Sequence, residues 1–243
     1  MQRVIIIGAT SGIGLELAKL FIHHDDRVGA TGRRAHLLDE LQQQFPQQVV
    51  TECFDVMGNE NIAHLESLIK SLDGVDVLIY NSGYGEVSET LDWKIDKQTT
   101  LTNVNGFVEI VNYAFNYFAK QGRGQIVSTS SIAAVRENSQ APAYSASKSY
   151  MSMYMAGLYL KARRMKNNDP NINISITDIQ PGFVRTKMAK GKGRFWEAPV
   201  TKAAKQIFSA IQRKKRKAYI TRRWTFIAWL LKWMPHFIIK KFA

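Results

Sequence analysis

The stretch "RVIIIGATSGIG", Arg3 to Gly14, sets the frame for the whole chain. A short apolar run, Val4 to Ile7, leads into a turn carrying Gly8, Gly12 and Gly14, and a helix is expected from near Ile13. Glycines let the backbone pass close to a pyrophosphate, and the free N–H groups and positive end of the following helix favour its negative charge. Gly8, Thr10, Ser11, Gly12, Ile13 and Gly14 are therefore the first candidate cofactor-binding residues. Taken alone, the turn is also compatible with a tight strand-to-helix connection that holds nothing.

Outward from this unit, short apolar runs alternate with longer helical patterns, which predicts β-α units around a mostly parallel sheet. Seven strands are expected: Arg3 to Gly8, Arg27 to Thr31, Val49 to Val56, Val75 to Asn81, Gly124 to Ser131, Ile172 to Gln180 and Lys217 to Thr221. The fold class is α/β, a single Rossmann-type doubly wound domain over residues 1–223. A hydrophobic and basic extension, expected as an amphipathic helix, follows over residues 224–243. A chain of 243 residues suits one such domain. No linker rich in Pro, Gly or Ser and no repeat divides it.

The single cysteine, Cys53, excludes an intramolecular disulfide framework and fits a reducing compartment, and no Cys/His cluster has zinc-site spacing. The apolar run before Gly8 is too short for a cleaved signal, so a cytoplasmic protein is expected. The net charge of +13 is unevenly spread. Through Val184 there are 16 basic and 19 acidic residues, a balance of −3, whereas from Arg185 on 17 basic residues face one acid, Glu197.

Tyr144 and Lys148, in "YSASK", stand four residues apart at the head of a run with few helix breakers. On a helix they share a face. With 9 Tyr among 243 residues, about 0.7 such Tyr/Lys pairs are expected by chance, so the surroundings must decide. The glycine spacing of the first turn, three residues and then one, resembles the short-chain dehydrogenase/reductase family, and further motifs fall in that family's order. Asp55 and Val56, at the end of the third strand, match the place where the family's aspartate reaches the adenine. "YNSG", Tyr80 to Gly83, resembles its N-N-A-G turn and adds Asn81, Ser82 and Gly83. "NVNG", Asn103 to Gly106, resembles the segment with its active-site asparagine. Ser131 ends "STSS" thirteen residues before Tyr144, the family's usual interval. "PGFVRT" resembles the segment holding the nicotinamide carboxamide, through Pro181, Gly182, Val184 and Thr186. The resemblance covers roughly Val4 to Arg223. It departs from the family pattern at Ile7, usually Thr, at Tyr80 and Ser82, which replace Asn and Ala, and at Ser128, which replaces a common Asn.

The resemblance implies a catalytic tetrad of Asn103, Ser131, Tyr144 and Lys148. Tyr144 would exchange a proton with the substrate oxygen, and a nearby ammonium stabilises a phenolate. Ser131 would hold the same oxygen. By resemblance Lys148 also grips the nicotinamide ribose, alongside Tyr144, and Asn103 positions a water that relays protons. The end of the second strand reads "TGRR", with Gly32 where an NAD enzyme places an acid. Arg33 suits a 2′-phosphate, which makes NADP (NADPH) the expected cofactor, with Arg34 either a helper or a solvated surface charge.

The tail "RRWTFIAWLLKWMPHFIIKKFA" is the least family-like part. Trp224, Ile227, Ala228 and Leu231 recur at helical spacing, and Phe226, Trp229, Leu230 and Trp233 make a second apolar stripe. Lys232 and Pro235 leave it short of the roughly 20 apolar residues that span a bilayer. Its tryptophans, with the basic run Arg213 to Lys217, Arg222, Arg223, Lys240 and Lys241, suit peripheral contact with an anionic inner membrane face. The alternative is a contact within a homodimer or homotetramer. Nucleic acid is not expected, because no recognised nucleic-acid module accompanies the charge. The expected substrate is a hydrophobic, lipid-like ketone; the rivals are a nucleotide-sensing interaction protein and a reductase of a small soluble ketone whose tail serves oligomerisation.

Overall fold

A computed structural model describes residues 1–186 and 196–234. The described strands are β1 (Arg3–Ile7), β2 (Arg27–Gly32), β3 (Val49–Cys53), β4 (Val77–Tyr80), β5 (Arg123–Thr129), β6 (Asn173–Pro181) and β7 (Lys217–Ile220). They form one sheet in the order β3-β2-β1-β4-β5-β6-β7, and every pairing is parallel. The helices are α1 (Gly12–Ile22), α2 (Ala35–Gln44), α3 (Asn61–Leu72), α4 (Trp93–Thr100), α5 (Gly106–Gln121), α6 (Pro142–Asn168), α7 (Val200–Gln212) and α8 (Trp224–Trp233).

The unbroken apolar run of β1 is explained by burial on both sides. Val4 and Ile6 join a core with α1, α2 and α7, while Ile5 and Ile7 join another with α3, α5 and α6. Central parallel strands covered by helices on each face are expected to read this way. Strand order reverses between β1 and β4, which both pair along their length: Ile7 is in register with Thr31 on one side and Tyr80 on the other. At such a switch point the loops diverge and leave a crevice beyond the carboxyl ends of the strands.

The expected strands all exist, with ends shifted by one to three residues. The third stops at Cys53 rather than Val56, because the Phe54 N–H bonds back to the Gly32 carbonyl and residues 55–58 then turn, Gly58 N–H donating to Asp55. Asp55 and Val56 thus stand on a loop after the strand rather than within it. The fourth strand is shortened at both ends, to Val77–Tyr80, since Asn81 already bends over the glycine turn. The sheet is wholly rather than mostly parallel.

Candidate active site

The glycine turn is built by close approach. Gly8 and Gly12 have φ of +89° and +58°, a region that disfavours residues with a Cβ. A side chain at Gly14 would overlap the Gly8 carbonyl, so α1 can start this near β1 only with glycine there. Asn81 donates from Nδ2 to the Gly8 carbonyl at 3.0 Å, and Ser82 lies against Gly8, tying the end of β4 to the turn. Across the crevice, Thr186 places its methyl 3.4 Å from where a Gly12 Cβ would stand.

Three observations fit a dinucleotide here. No side chain caps the N-terminus of α1, and its first turn carries no acid, so its N–H groups face the turn as donors for an anion. A Cβ at Gly32 would come 2.6 Å from Thr10 Cγ2, which leaves no room for an acid at the end of β2. Two guanidiniums lie beside that point. Arg33 is 57% exposed and its Nη1 is 3.4 Å from Asp55 Oδ2. Arg34 donates from Nη2 to Thr10 Oγ1 at 2.6 Å and to Ser11 Oγ at 2.8 Å, so it braces the phosphate turn instead of being a solvated surface charge.

Tyr144 and Lys148 stand on the first turns of α6, which opens with Pro142 in its first turn, where the missing N–H costs nothing. The Lys148 ammonium is buried, donates to the Thr129 carbonyl at 3.0 Å and lies 5.8 Å from the centre of the Tyr144 ring. Ser131 stands two residues past the end of β5 and reaches Tyr144 by a side-chain hydrogen bond. Gly83 packs toward the Lys148 ammonium and the Asn103 amide. Ser131 after β5, Tyr144 and Lys148 on α6, and Asn103 between α4 and α5 thus meet beside the glycine turn.

Electrostatics refine the expected roles. Burial raises the pKa of Tyr144, and its bond with Ser131 offsets part of the rise. Desolvation leads the shift and Lys148, 5.8 Å from the ring centre, is not among its causes, so the phenol stays protonated at neutral pH, as a proton donor must. Burial pulls Lys148 down to about 8, against the opposing pull of Asp178. Because this lysine holds its proton up to a higher pH in the unfolded chain than in the folded one, stability should rise with pH from about 8 toward 10.5 and fall as pH returns through that window, by up to about 1.4 kcal/mol per unit. Urea unfolding across this range should show the rise, and a Lys148→Met chain should lack it. Tyr144, shifted upward, opposes it only above about 10.

Asn103 lies in a π-helical stretch, Leu101–Asn105, between α4 and α5, a local widening of the kind often found at functional sites. Its side chain is fully buried and its two N–H donors are taken, by the Tyr84 carbonyl at 2.7 Å and Ser147 Oγ at 2.9 Å, while Oδ1 accepts from Tyr84 N–H at 2.9 Å. It therefore braces the loop after β4 against α6. A relay water could use only its remaining acceptor capacity or its backbone.

Several participants escaped the sequence reading. Ser147 links Asn103 to the Tyr144 carbonyl, at 2.9 and 2.7 Å. Asp178, in β6, is buried and accepts from Ser130 at 2.5 Å, Ser152 at 2.6 Å and Gln180 at 2.9 Å. An acid within an otherwise buried strand was the available signal. Gly85 is the third: a Cβ there would overlap the Tyr144 ring. Gly85→Ala should push that ring out of line and lower kcat by about ten- to a hundredfold, with little change in the unfolding midpoint. Steady-state kinetics and urea unfolding of the same variant check this.

Tyr80 and Ser128, two departures from the family pattern, are structural. Tyr80 is fully buried and donates to the Thr102 carbonyl at 2.6 Å, and burial raises its pKa far out of range. Ser128 lies beneath the site, 3.5 Å from Asp178.

A phosphate turn at the switch point with a serine, tyrosine and lysine beside it defines a nucleotide-dependent oxidoreductase. Residues 2–195 match the family model for short chain dehydrogenase, and the chain belongs to that family. It is 28% identical over 193 residues to an uncharacterized oxidoreductase of Myxococcus xanthus, a match covering 77% of this chain and 74% of the relative. It is 27% identical over 183 residues to a probable NADP-dependent dehydrogenase of Haemophilus influenzae, covering 74% and 70%. The crystal structure of a short chain dehydrogenase from Burkholderia cenocepacia in complex with NADP superposes with a TM-score of 0.82 at 18% identity, over 99% of this chain and 96% of that one.

Proposed function

We propose that this chain is an NADPH-dependent carbonyl reductase that interconverts a hydrophobic, lipid-like ketone and its secondary alcohol. The observation that carries this is the meeting of Ser131, Tyr144 and Lys148 beside a phosphate turn whose adenosine end offers Arg33 and Arg34 and no room for an acid at position 32. The name of the Haemophilus relative supports the same cofactor.

The turn from Gly8 to Gly14, braced by Arg34, would hold the pyrophosphate, with Arg33 toward the 2′-phosphate, Asp55 and Val56 toward the adenine, Asn81, Ser82 and Gly83 along the middle, and Pro181, Gly182, Val184 and Thr186 toward the nicotinamide. The chemistry supplied by NADPH when bound is a hydride for the carbonyl carbon. The chain's own groups act on the carbonyl oxygen. Ser131 donates a hydrogen bond that orients the oxygen and stabilises its growing charge. Tyr144 gives up its proton to it, and the Lys148 ammonium nearby stabilises the phenolate that remains.

The hydrophobic substrate is supported by the wall next to Gly182. Trp224 lies over that glycine and meets the Phe183 ring edge-on at 5.5 Å between centres. The rest of the pocket loop, residues 187–195 of the stretch Lys187 to Pro199, lies outside the described residues. Following NADPH absorbance with ketones of increasing chain length tests the proposal. Turnover should be measurable and should rise with chain length. Tight NADPH binding without turnover on any ketone would favour nucleotide sensing, and preference for short ketones would favour a small soluble substrate. A homodimer or homotetramer is also proposed, supported by Met153 and Leu160 exposed along α6; light scattering would decide it.

A further inference from the structure

We infer that α8 seats the chain on an anionic lipid surface, with Phe226, Trp229, Leu230 and Trp233 among the headgroups and Arg222, Arg223 and Lys232 against lipid phosphates. This deepens the lipid-like-ketone reading and rests on it only for the route by which substrate arrives.

The helix divides its apolar residues between two sides, with Ile227 and Leu231 half-buried. Trp224 and Ala228 are 2% and 1% exposed against the body of the protein. On the opposite side Phe226, Trp229, Leu230 and Trp233, at spacings of three, one and three residues, remain exposed, Trp229 at 59% and Trp233 at 70%. Four large apolar side chains on one face of a ten-residue helix make a contiguous patch of the kind that marks an interaction surface. Trp196 lies nearby, its ring under the Arg223 guanidinium at 5.2 Å.

Charge selects the occupant. The charged residues of α8 and its entry, Arg222, Arg223 and Lys232, are all basic and exposed. A second copy offering the same face would bring like charges together, whereas anionic headgroups offer the opposite charge and an interfacial zone that favours tryptophan. The run Arg213 to Lys217 contributes less than its place in the sequence suggests. It lies at the far end of β7, about 10 Å from Ile220 at about 3.3 Å per residue, and Lys217 turns inward to within 3.8 Å of Asp178. Lys240 and Lys241 lie outside the described residues.

Geometry selects the mode. Ten residues span about 15 Å, half of a hydrocarbon core. Among the described residues no helix is long and apolar enough to cross a membrane. The inner stripe holds α8 flat on the protein. Its last turn is pinned by Arg136, which donates from Nε to the Leu231 carbonyl at 2.6 Å and from Nη2 to the Met234 carbonyl. Arg136 follows Ser131 by five residues, and Trp224 at the other end covers Gly182. The helix that carries the docking face therefore stands beside the Ser131 loop and the Gly182 segment, which would keep the site close to the surface from which a long-chain ketone arrives.

Co-sedimentation of the full chain with phosphatidylcholine vesicles, with and without phosphatidylglycerol, tests this. The anionic vesicles should bind roughly a hundredfold tighter at low salt. A Trp229→Ser/Trp233→Ser chain should lose at least about tenfold on both vesicles, and an Arg222→Glu/Lys232→Glu chain should lose only the anionic preference. All three should bind NADPH equally, which also reports that each is folded. Failure of the unmutated chain to bind either vesicle overturns the proposal, and a smaller assembly of the tryptophan variant would then assign the face to a second copy. Loss of vesicle binding with ketone turnover intact leaves the reductase standing; vesicle binding without any NADPH turnover leaves the docking and removes the reductase.

Discussion

Tyr144→Phe is expected to lower ketone turnover by about a hundred- to ten-thousandfold while the fold and NADPH binding persist. The substitution removes one oxygen from a ring whose packing against Gly85 and whose helical position stay the same. What is lost is the proton that burial keeps on the phenol and the hydrogen bond it shares with Ser131. Lys148 cannot replace it, since its ammonium is directed to the Thr129 carbonyl at 3.0 Å. Single-turnover absorbance measurements with pre-bound NADPH isolate the chemical step. A variant that keeps more than half of the original rate would transfer the proton donor to another residue.

Arg33→Ala should erase most of the preference for NADPH over NADH, a change of about ten- to a hundredfold in relative affinity, since a hydrogen bond to a charged group contributes about 1.5 to 3 kcal/mol. The structure divides the labour between the two arginines. Arg33 is exposed and held only at 3.4 Å by Asp55, so it can swing to a phosphate at little cost. Arg34 is committed to Thr10 and Ser11, in the turn that every dinucleotide would use. Arg34→Ala should therefore weaken NADPH and NADH together, whereas Arg33→Ala should weaken NADPH alone. Fluorescence titration of both cofactors against both variants separates these effects. Equal affinities in the unmutated chain would remove the basis for the assignment.

The fold was legible because its signals are local. The run Val4 to Ile7, the glycines after it and the alternation of strand and helix each depend on residues a few positions apart, and all seven expected strands are present. The strand ends were less legible: Asp55 and Asn81 leave the sheet because of bonds to Arg33, Met57 and Gly8, most of them distant in sequence. The tail shows the same division. Its two stripes could be listed from spacing, but nothing local says which one faces the protein. Trp224 against Gly182, 42 positions away, decides that.

By itself, then, the sequence determined the doubly wound sheet, the phosphate turn and the pairing of Tyr144 with Lys148, since backbone propensity, glycine chemistry and helical spacing act over a few residues. The tertiary structure alone decided that Arg34 braces the turn, that Asn103 spends its donors on Tyr84 and Ser147, and that Asp178 sits among buried hydroxyls. It also turned the phenol's pKa upward, against what an adjacent ammonium suggests. Those outcomes depend on desolvation and on partners brought close by folding, and neither is encoded in the spacing of residues along the chain.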